Sequence, residues 1–393
     1  MHKRLTLVLV LVLLGAMVFA AGDWRYVFWN LDQHPEILGG FLPTQIGMGA
    51  GWNGLHFIPD RRTEIQMLAG GGYYQRKMWQ NPTNGLPLEE DTNPLIYDVM
   101  EYEWRLRFSQ GFLPSNVEGK DLWTVYAGYD GFFTRTMDSM VTGASRSNNG
   151  THDVASVAHW FSSYSLTTAN NAYYTDMGDS LLTVFFAGIK WDRMDDKQTT
   201  QDGIYSDLKA EYAPRALNSA LDGTAEYYSV TSNTVVAKTL YALDNGKGKN
   251  QFSIVAVDRV HFNWTDGDAV PMKAQKSITL GRIVRGFNSF SYNYQFTSVN
   301  NFDLRFCGPE VIPNIKGILP RINLFFDAGY GFGNYLNTDV WGEQFLSSTG
   351  VQVTVSFFDF IDLGLQYSYL FTGTNFVHYG DNLVMSWTFF LDF

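Results

Sequence analysis

Residues 383–393 read "LVMSWTFFLDF": Leu383, Met385, Trp387, Phe389, Leu391 and Phe393 take every second place, with Ser386, Thr388 and Asp392 between them. An extended chain sends successive side chains to opposite faces, so this stretch makes a strand with one apolar face and one largely polar face. The same alternation runs upstream. In "IDLGLQYSY" (361–369), Ile361, Leu363, Leu365, Tyr367 and Tyr369 oppose Asp362, Gly364, Gln366 and Ser368. In "VQVTVSF" (351–357), Val351, Val353, Val355 and Phe357 oppose Gln352, Thr354 and Ser356.

Stripes of this kind also occur in soluble sandwiches, so the other end of the chain matters. It begins "MHKRLTLVLVLVLLGAMVFAAG", with His2, Lys3 and Arg4 ahead of an apolar run from Leu5 to Leu14 and with small residues at Ala20 and Ala21. Basic, apolar and small in that order spell a secretory signal peptide over residues 1–20. The run is short for the ~20 residues of a membrane anchor, and no later segment reaches that length.

Composition narrows the class further. The chain holds 30 Phe, 22 Tyr, 11 Trp and 37 Gly with 17% charged residues, yet its mean hydropathy is -0.14. Strands that alternate apolar outward and polar inward average to near neutral while presenting a fully apolar wall to lipid. The expected fold is therefore all-β, a transmembrane antiparallel β-barrel of about 16 strands, the closed arrangement that satisfies every backbone group in hydrocarbon. Expected strands lie near 43–57, 62–78, 97–110, 121–135, 152–166, 181–192, 203–213, 224–231, 234–243, 251–265, 274–284, 298–306, 321–331, 349–358, 361–370 and 383–393. The expected division is a signal peptide at 1–20, a short periplasmic lead at 21–42 and an outer-membrane barrel at 43–393.

Other classes find little support. The net charge of -11 opposes binding to nucleic acid. The lone Cys307 cannot form an internal disulfide, and the seven scattered histidines form no metal-ligand spacing. No cofactor, metal site or catalytic set is expected, and the chain does not read as an enzyme.

The most informative motif is Val284, Arg285, Gly286, Phe287, which follows the eleventh expected strand and precedes five more. Downstream, "VNNFDLRF" (299–306) places Phe302, Leu304 and Phe306 on one parity and Asp303 on the other. In "RINLFFDAGY" (321–330), Ile322, Leu324, Phe326, Ala328 and Tyr330 share a parity that leaves Asp327 facing inward with Asn323. Two acids thus point into the lumen from adjacent strands, and an inward-folded Arg285 could bridge them with its planar set of five donors. A solvated, unpaired loop arginine is the alternative. Gly286 would permit close backbone approach.

The VRGF tetrapeptide, "VNNFDLRF", "LFFDAGYGFGN" (324–334) and a last strand ending on Phe393 together resemble the BamA/TamA-like superfamily of outer-membrane insertase and translocase barrels, the bacterial surface antigen family. The resemblance implies a sixth loop folded into the lumen, with Arg285 held by Asp303 and Asp327. It also implies that Trp387, Phe389, Leu391 and Phe393 form a C-terminal assembly signal. The implied partners are outer-membrane lipid, client outer-membrane proteins and the BAM machinery that would assemble the barrel itself. The family's periplasmic POTRA domains have no counterpart in this reading, which leaves a passive pore or a structural surface barrel as the alternative function. A lateral gate is expected between the last strand and residues 43–56. There Gly47, Gly49 and Gly51 share a parity, which would either weaken the seam or relieve a crowded lumen.

Overall fold

The computed structural model describes residues 24–33, 43–55, 57–78, 95–115, 117, 120–137, 179–195, 199–220, 223, 225–244, 250–271, 274, 280–287, 293–309, 311–312, 315–316, 318–336, 339–357, 361–371 and 383–391. The strands are β1 (Trp24–Gln33), β2 (Pro43–Leu55), β3 (Thr63–Met78), β4 (Leu95–Gly111), β5 (Trp123–Met137), β6 (Asp179–Asp192), β7 (Gly203–Ala213), β8 (Glu226–Asp244), β9 (Asn250–Ala269) and β10 (Tyr294–Cys307). They are followed by β11 (Val311–Ile312), β12 (Ile315–Lys316), β13 (Ile318–Tyr335), β14 (Trp341–Phe357), β15 (Ile361–Leu370) and β16 (Leu383–Leu391). Among the described residues, two short helices, α1 (Arg215–Ala220) and α2 (Leu280–Ile283), interrupt the pattern.

Among the described residues, fourteen strands form one sheet in chain order, with β11 and β12 set aside as a two-stranded ribbon between β10 and β13. Each strand pairs antiparallel with the next, so every connection joins neighbours. β1 and β16 are the ends of the ladder. Among the described residues, no helix is long and apolar enough to cross a membrane.

The two faces of the sheet are inverted relative to a water-soluble protein. Ile322, Leu324, Phe326 and Tyr330 of β13 are exposed, as are Val351 and Val353 of β14 and Leu365, Tyr367 and Tyr369 of β15. Between them lie buried polar groups: Asn263 and Asp327 at 0% exposure, Asp303 at 1%, and Thr297, Ser348 and Ser368 at 0%. Contiguous apolar exposure on this scale marks a surface that meets something other than water. The alternation that makes each strand therefore also decides which face is covered.

Three of the sixteen expected strands are redrawn, and a fourth, at 152–166, lies outside the described residues, as does the signal peptide at 1–20. Residues 224–231 and 234–243 run without a break as β8, because Ser232 and Asn233 pair with Leu208 and Asp207 of β7 instead of turning. The segment 274–284 contributes the helical turn α2, since Leu280, Ile283 and Val284 follow the helical spacing of i, i+3 and i+4. The expected lead at 21–42 holds β1, which pairs with β2 and displaces it from the edge. Gly47, Gly49 and Gly51 thus sit inside the ladder, where Gly47 faces Asn30 on one side and Gly70 on the other. The other boundaries lie within a few residues of expectation except at β14, which was expected over 349–358 and begins eight residues earlier, because Trp341–Ser348 continue the ladder against Asn334–Asp327 of β13.

Candidate functional site: an arginine finger on the polar face

β9 and β10 are joined by a long segment whose residues 280–287 lie against the polar face of the sheet. Leu280, Val284 and Phe287, all nearly or fully buried, pack with Val299 of β10, Leu346 of β14, Leu370 of β15 and Tyr294. Buried apolar side chains of this size contribute roughly 1.5–3 kcal/mol each relative to exposure. α2 carries Leu280 and leads into Val284 one turn later, and the backbone N–H of Val284 donates to the Leu280 carbonyl at 3.1 Å, closing the turn.

Arg285 emerges from this wedge toward β10 and β13. Its Nε donates to Asp327 Oδ2 at 2.9 Å and its Nη2 to Asp327 Oδ1 at 2.6 Å, while Nη1 donates to Asp303 Oδ1 at 2.6 Å. The backbone N–H of Arg285 adds a further bond to Asp327 Oδ2 at 2.8 Å. The guanidinium also lies 4.1 Å from the ring centroid of Phe325. One planar cation therefore holds two carboxylates in a fork geometry that an ammonium cannot reproduce. Burial acts to lower the Arg285 pKa, but the Asp327 and Asp303 carboxylates outweigh it and the net shift is upward.

Register explains why these acids meet. Asn301 lies opposite Asp327 and Asp303 opposite Phe325, so the two carboxylates are diagonal neighbours on one face. Asp303 has further partners: Arg259 Nη1 of β9 donates to its Oδ2 at 2.7 Å, and Arg305 Nη2 lies 3.5 Å from the same oxygen. Asp327 has no recorded partner other than Arg285 among the described residues. The finger's backbone is held as well. Ser348 Oγ donates to the Arg285 carbonyl at 2.6 Å and Asn301 Nδ2 to the Ile283 carbonyl at 3.2 Å.

Two glycines make the docking sterically possible. Gly286 has φ +93, a conformation that side chains rarely adopt, and a Cβ there would lie 2.8 Å from Leu370 Cδ2 and Ser368 Cβ. Gly329 on β13 opens the floor beneath the wedge, since its Cβ would lie 2.6 Å from both Leu280 Cδ1 and Val284 Cγ2.

The structure thus brings Val284, Arg285, Gly286, Phe287, Asp303 and Asp327 together. Trp387, Phe389 and Leu391 lie on β16 opposite Leu365, Leu363 and Ile361 of β15, while Phe393 lies outside the described residues. Leu280, Arg259, Phe325, Ser348 and Gly329 also belong to the site. Their signals in the sequence were the helical spacing of 280, 283 and 284 and the inward parity of Arg259 on β9.

A second charged region lines the polar face farther along the sheet. Arg105 forks onto Asp130 at 2.6 and 2.8 Å. Arg107 lies 4.1 Å from the centroid of Tyr126, whose hydroxyl donates to Asp207 Oδ1 at 2.5 Å. Lys190 Nζ stands 3.8 Å from Asp207 Oδ2.

No protein-family model and no curated protein matches the chain. In structure it is similar to BamA from Haemophilus ducreyi lacking POTRA domains 1-3, with a TM-score of 0.45 and 10% identity over 88% of this chain and 62% of that one. It is similar also to CdiB from Acinetobacter baumannii, with a TM-score of 0.46 and 10% identity over 94% of this chain and 60% of that one. The chain spans about six tenths of the length of each.

Proposed function

We propose that this chain is a bacterial outer-membrane β-barrel, exported by its first 20 residues, whose sheet closes around a lumen occupied by the VRGF segment. Its work is to assist the insertion or translocation of other outer-membrane proteins through a lateral gate. The observation that carries the reading is the seating of Arg285 across Asp303 and Asp327 on the polar face of a sheet whose opposite face is apolar. A finger fixed this firmly obstructs a channel, which suits a barrel that acts at its wall more than one that conducts through its centre. The gate would lie between β1 and β16, the ladder's two ends, where a client strand could add by edge pairing. The apolar stripe of β16 would serve the chain's own recognition by the BAM machinery.

A passive pore is the second reading, favoured by the charged lining of Arg105, Asp130, Arg107, Lys190 and Asp207. Two measurements separate them. In planar bilayers the plugged barrel should conduct weakly, with conductance rising in Arg285→Ala, whereas a large, steady native conductance that ignores the substitution supports the pore. In liposomes the protein should accelerate folding of an urea-unfolded outer-membrane barrel relative to empty liposomes. No acceleration would remove the assembly role.

A further inference from the structure

Near the middle of β9 the exposed apolar parity is broken by a carboxylate. Phe252, Ile254 and Ala256 precede Asp258 on that parity, and Val260, Phe262 and Trp264 follow it. Register carries the break onto the neighbouring strand, where Asn300 shares the parity of Phe302, Leu304 and Phe306 on β10. Asn300 Nδ2 donates to Asp258 Oδ1 at 2.7 Å. Asp258 Oδ2, Asn300 Oδ1 and the second Asn300 amide hydrogen have no recorded partner among the described residues. Farther along the same face, Ser206 of β7 and Thr234 of β8 share a hydroxyl hydrogen bond of 3.0 Å.

The surroundings are rich in small and polar side chains. Ala328, Asn300, Val260, Thr234 and Ser206 lie in register across five strands, a row of small or short side chains. The row on one side carries Phe326 and Phe302 next to Asp258, and the row on the other carries Tyr330 and Phe262 with Ser298 between them and Ser232 beyond. If this face meets lipid, as the proposed function holds, a carboxylate near the middle of the span is costly unless another polar surface covers it. In hydrocarbon, polar side chains framed by small residues are what hold membrane segments together.

The geometry points to a second copy of this chain as the covering surface. The patch is self-complementary: it offers an unused amide donor on Asn300 and an unused carboxylate oxygen on Asp258, side by side. A two-fold axis normal to the membrane sets each Asn300 amide against the other copy's Asp258, satisfying both groups twice over. A partner of different chemistry would have to bring its own donor to the same depth, and a lipid tail brings none.

The test uses full-length protein carrying Cys307→Ser, reconstituted in lipid nanodiscs or retained in outer membranes, with single cysteines introduced for a short bis-maleimide. Val260→Cys should give a cross-linked dimer, while Leu365→Cys, on the same face but away from the patch, should not. Adding Asp258→Leu and Asn300→Leu together should weaken dimerisation about 10-fold, the size expected for two symmetric polar contacts between membrane segments. Heat-modifiable migration in gels checks that the double variant still folds. Equal cross-linking from both cysteines, or a dimer indifferent to the double substitution, overturns the proposal. A protein that stays in membranes through a carbonate wash but is monomeric also overturns it, leaving the functional reading intact. Extraction by carbonate removes the functional reading and this proposal with it.

Discussion

Replacing Arg285 with Ala removes every recorded side-chain partner of Asp327 and one of three recorded arginines from Asp303. The backbone N–H of residue 285 survives the change, but its bond to Asp327 depends on the finger staying docked. Both carboxylates are almost wholly buried, with side-chain exposures of 0% and 2%. Stranding one partner of a buried ion pair costs about 3–5 kcal/mol. The sheet's ladder does not involve the finger, so the cost should fall on docking and not on the barrel. That shift raises the undocked population between about 100- and 4,000-fold at ~1.4 kcal/mol per decade. A cysteine at position 284, where Val284 is fully buried, reports on docking through its reaction with a water-soluble maleimide in a Cys307→Ser background. Labelling should be slow with Arg285 present and faster by that factor with Ala. Arg285→Lys should fall between, because a point charge cannot fork onto Asp327 while reaching Asp303. Equal labelling rates in the Arg and Ala backgrounds would refute the claim that the ion clasp holds the finger.

Three further substitutions probe separate parts of the argument. Gly329→Val should raise position-284 labelling as Arg285→Ala does, because the new side chain occupies the space of Leu280 and Val284; unchanged labelling would mean that the wedge does not rest on β13. Asp130→Asn should lower stability by no more than about 1 kcal/mol, since the remaining Arg105 is 43% exposed and can resolvate. Urea unfolding in vesicles measures it, and a loss as large as that of Asp327→Asn would contradict the distinction between the two ion pairs. Phe326→Arg places a charge on the apolar face near the middle of β13 and should cost roughly 2–4 kcal/mol of folding stability in the same assay if that face meets lipid. No loss would argue against a membrane-facing wall.

The sequence disclosed most where chemistry and period coincide. Over 298–306, 321–331, 349–357 and 361–370, alternation locates the strands, and the same parity places Asp303 and Asp327 on one face. Upstream, β1 reads "WRYVFWNLDQ", where aromatic and aliphatic residues fall on both parities and hide the strand. Two expected strands, 224–231 and 234–243, are one in β8, where Ser232 and Thr234 remain in the ladder and Thr234 bonds laterally to Ser206. The segment 274–284 is apolar enough to pass for a strand until the spacing of Leu280, Ile283 and Val284 is weighed. The fourth and fifth members of the ion cluster, Arg259 and Arg305, escape because their meeting depends on the register between β9 and β10, which composition does not encode.

The unequal endowment of the two acids gives the finger a direction of return. Should it leave, Asp303 stays neutralised by Arg259 and Arg305, whereas Asp327 is left as a bare negative charge in an otherwise quiet wall. That vacated socket attracts the same guanidinium back and offers little to a neutral intruder. The device behaves as a self-resetting latch whose restoring pull is concentrated on a single stave.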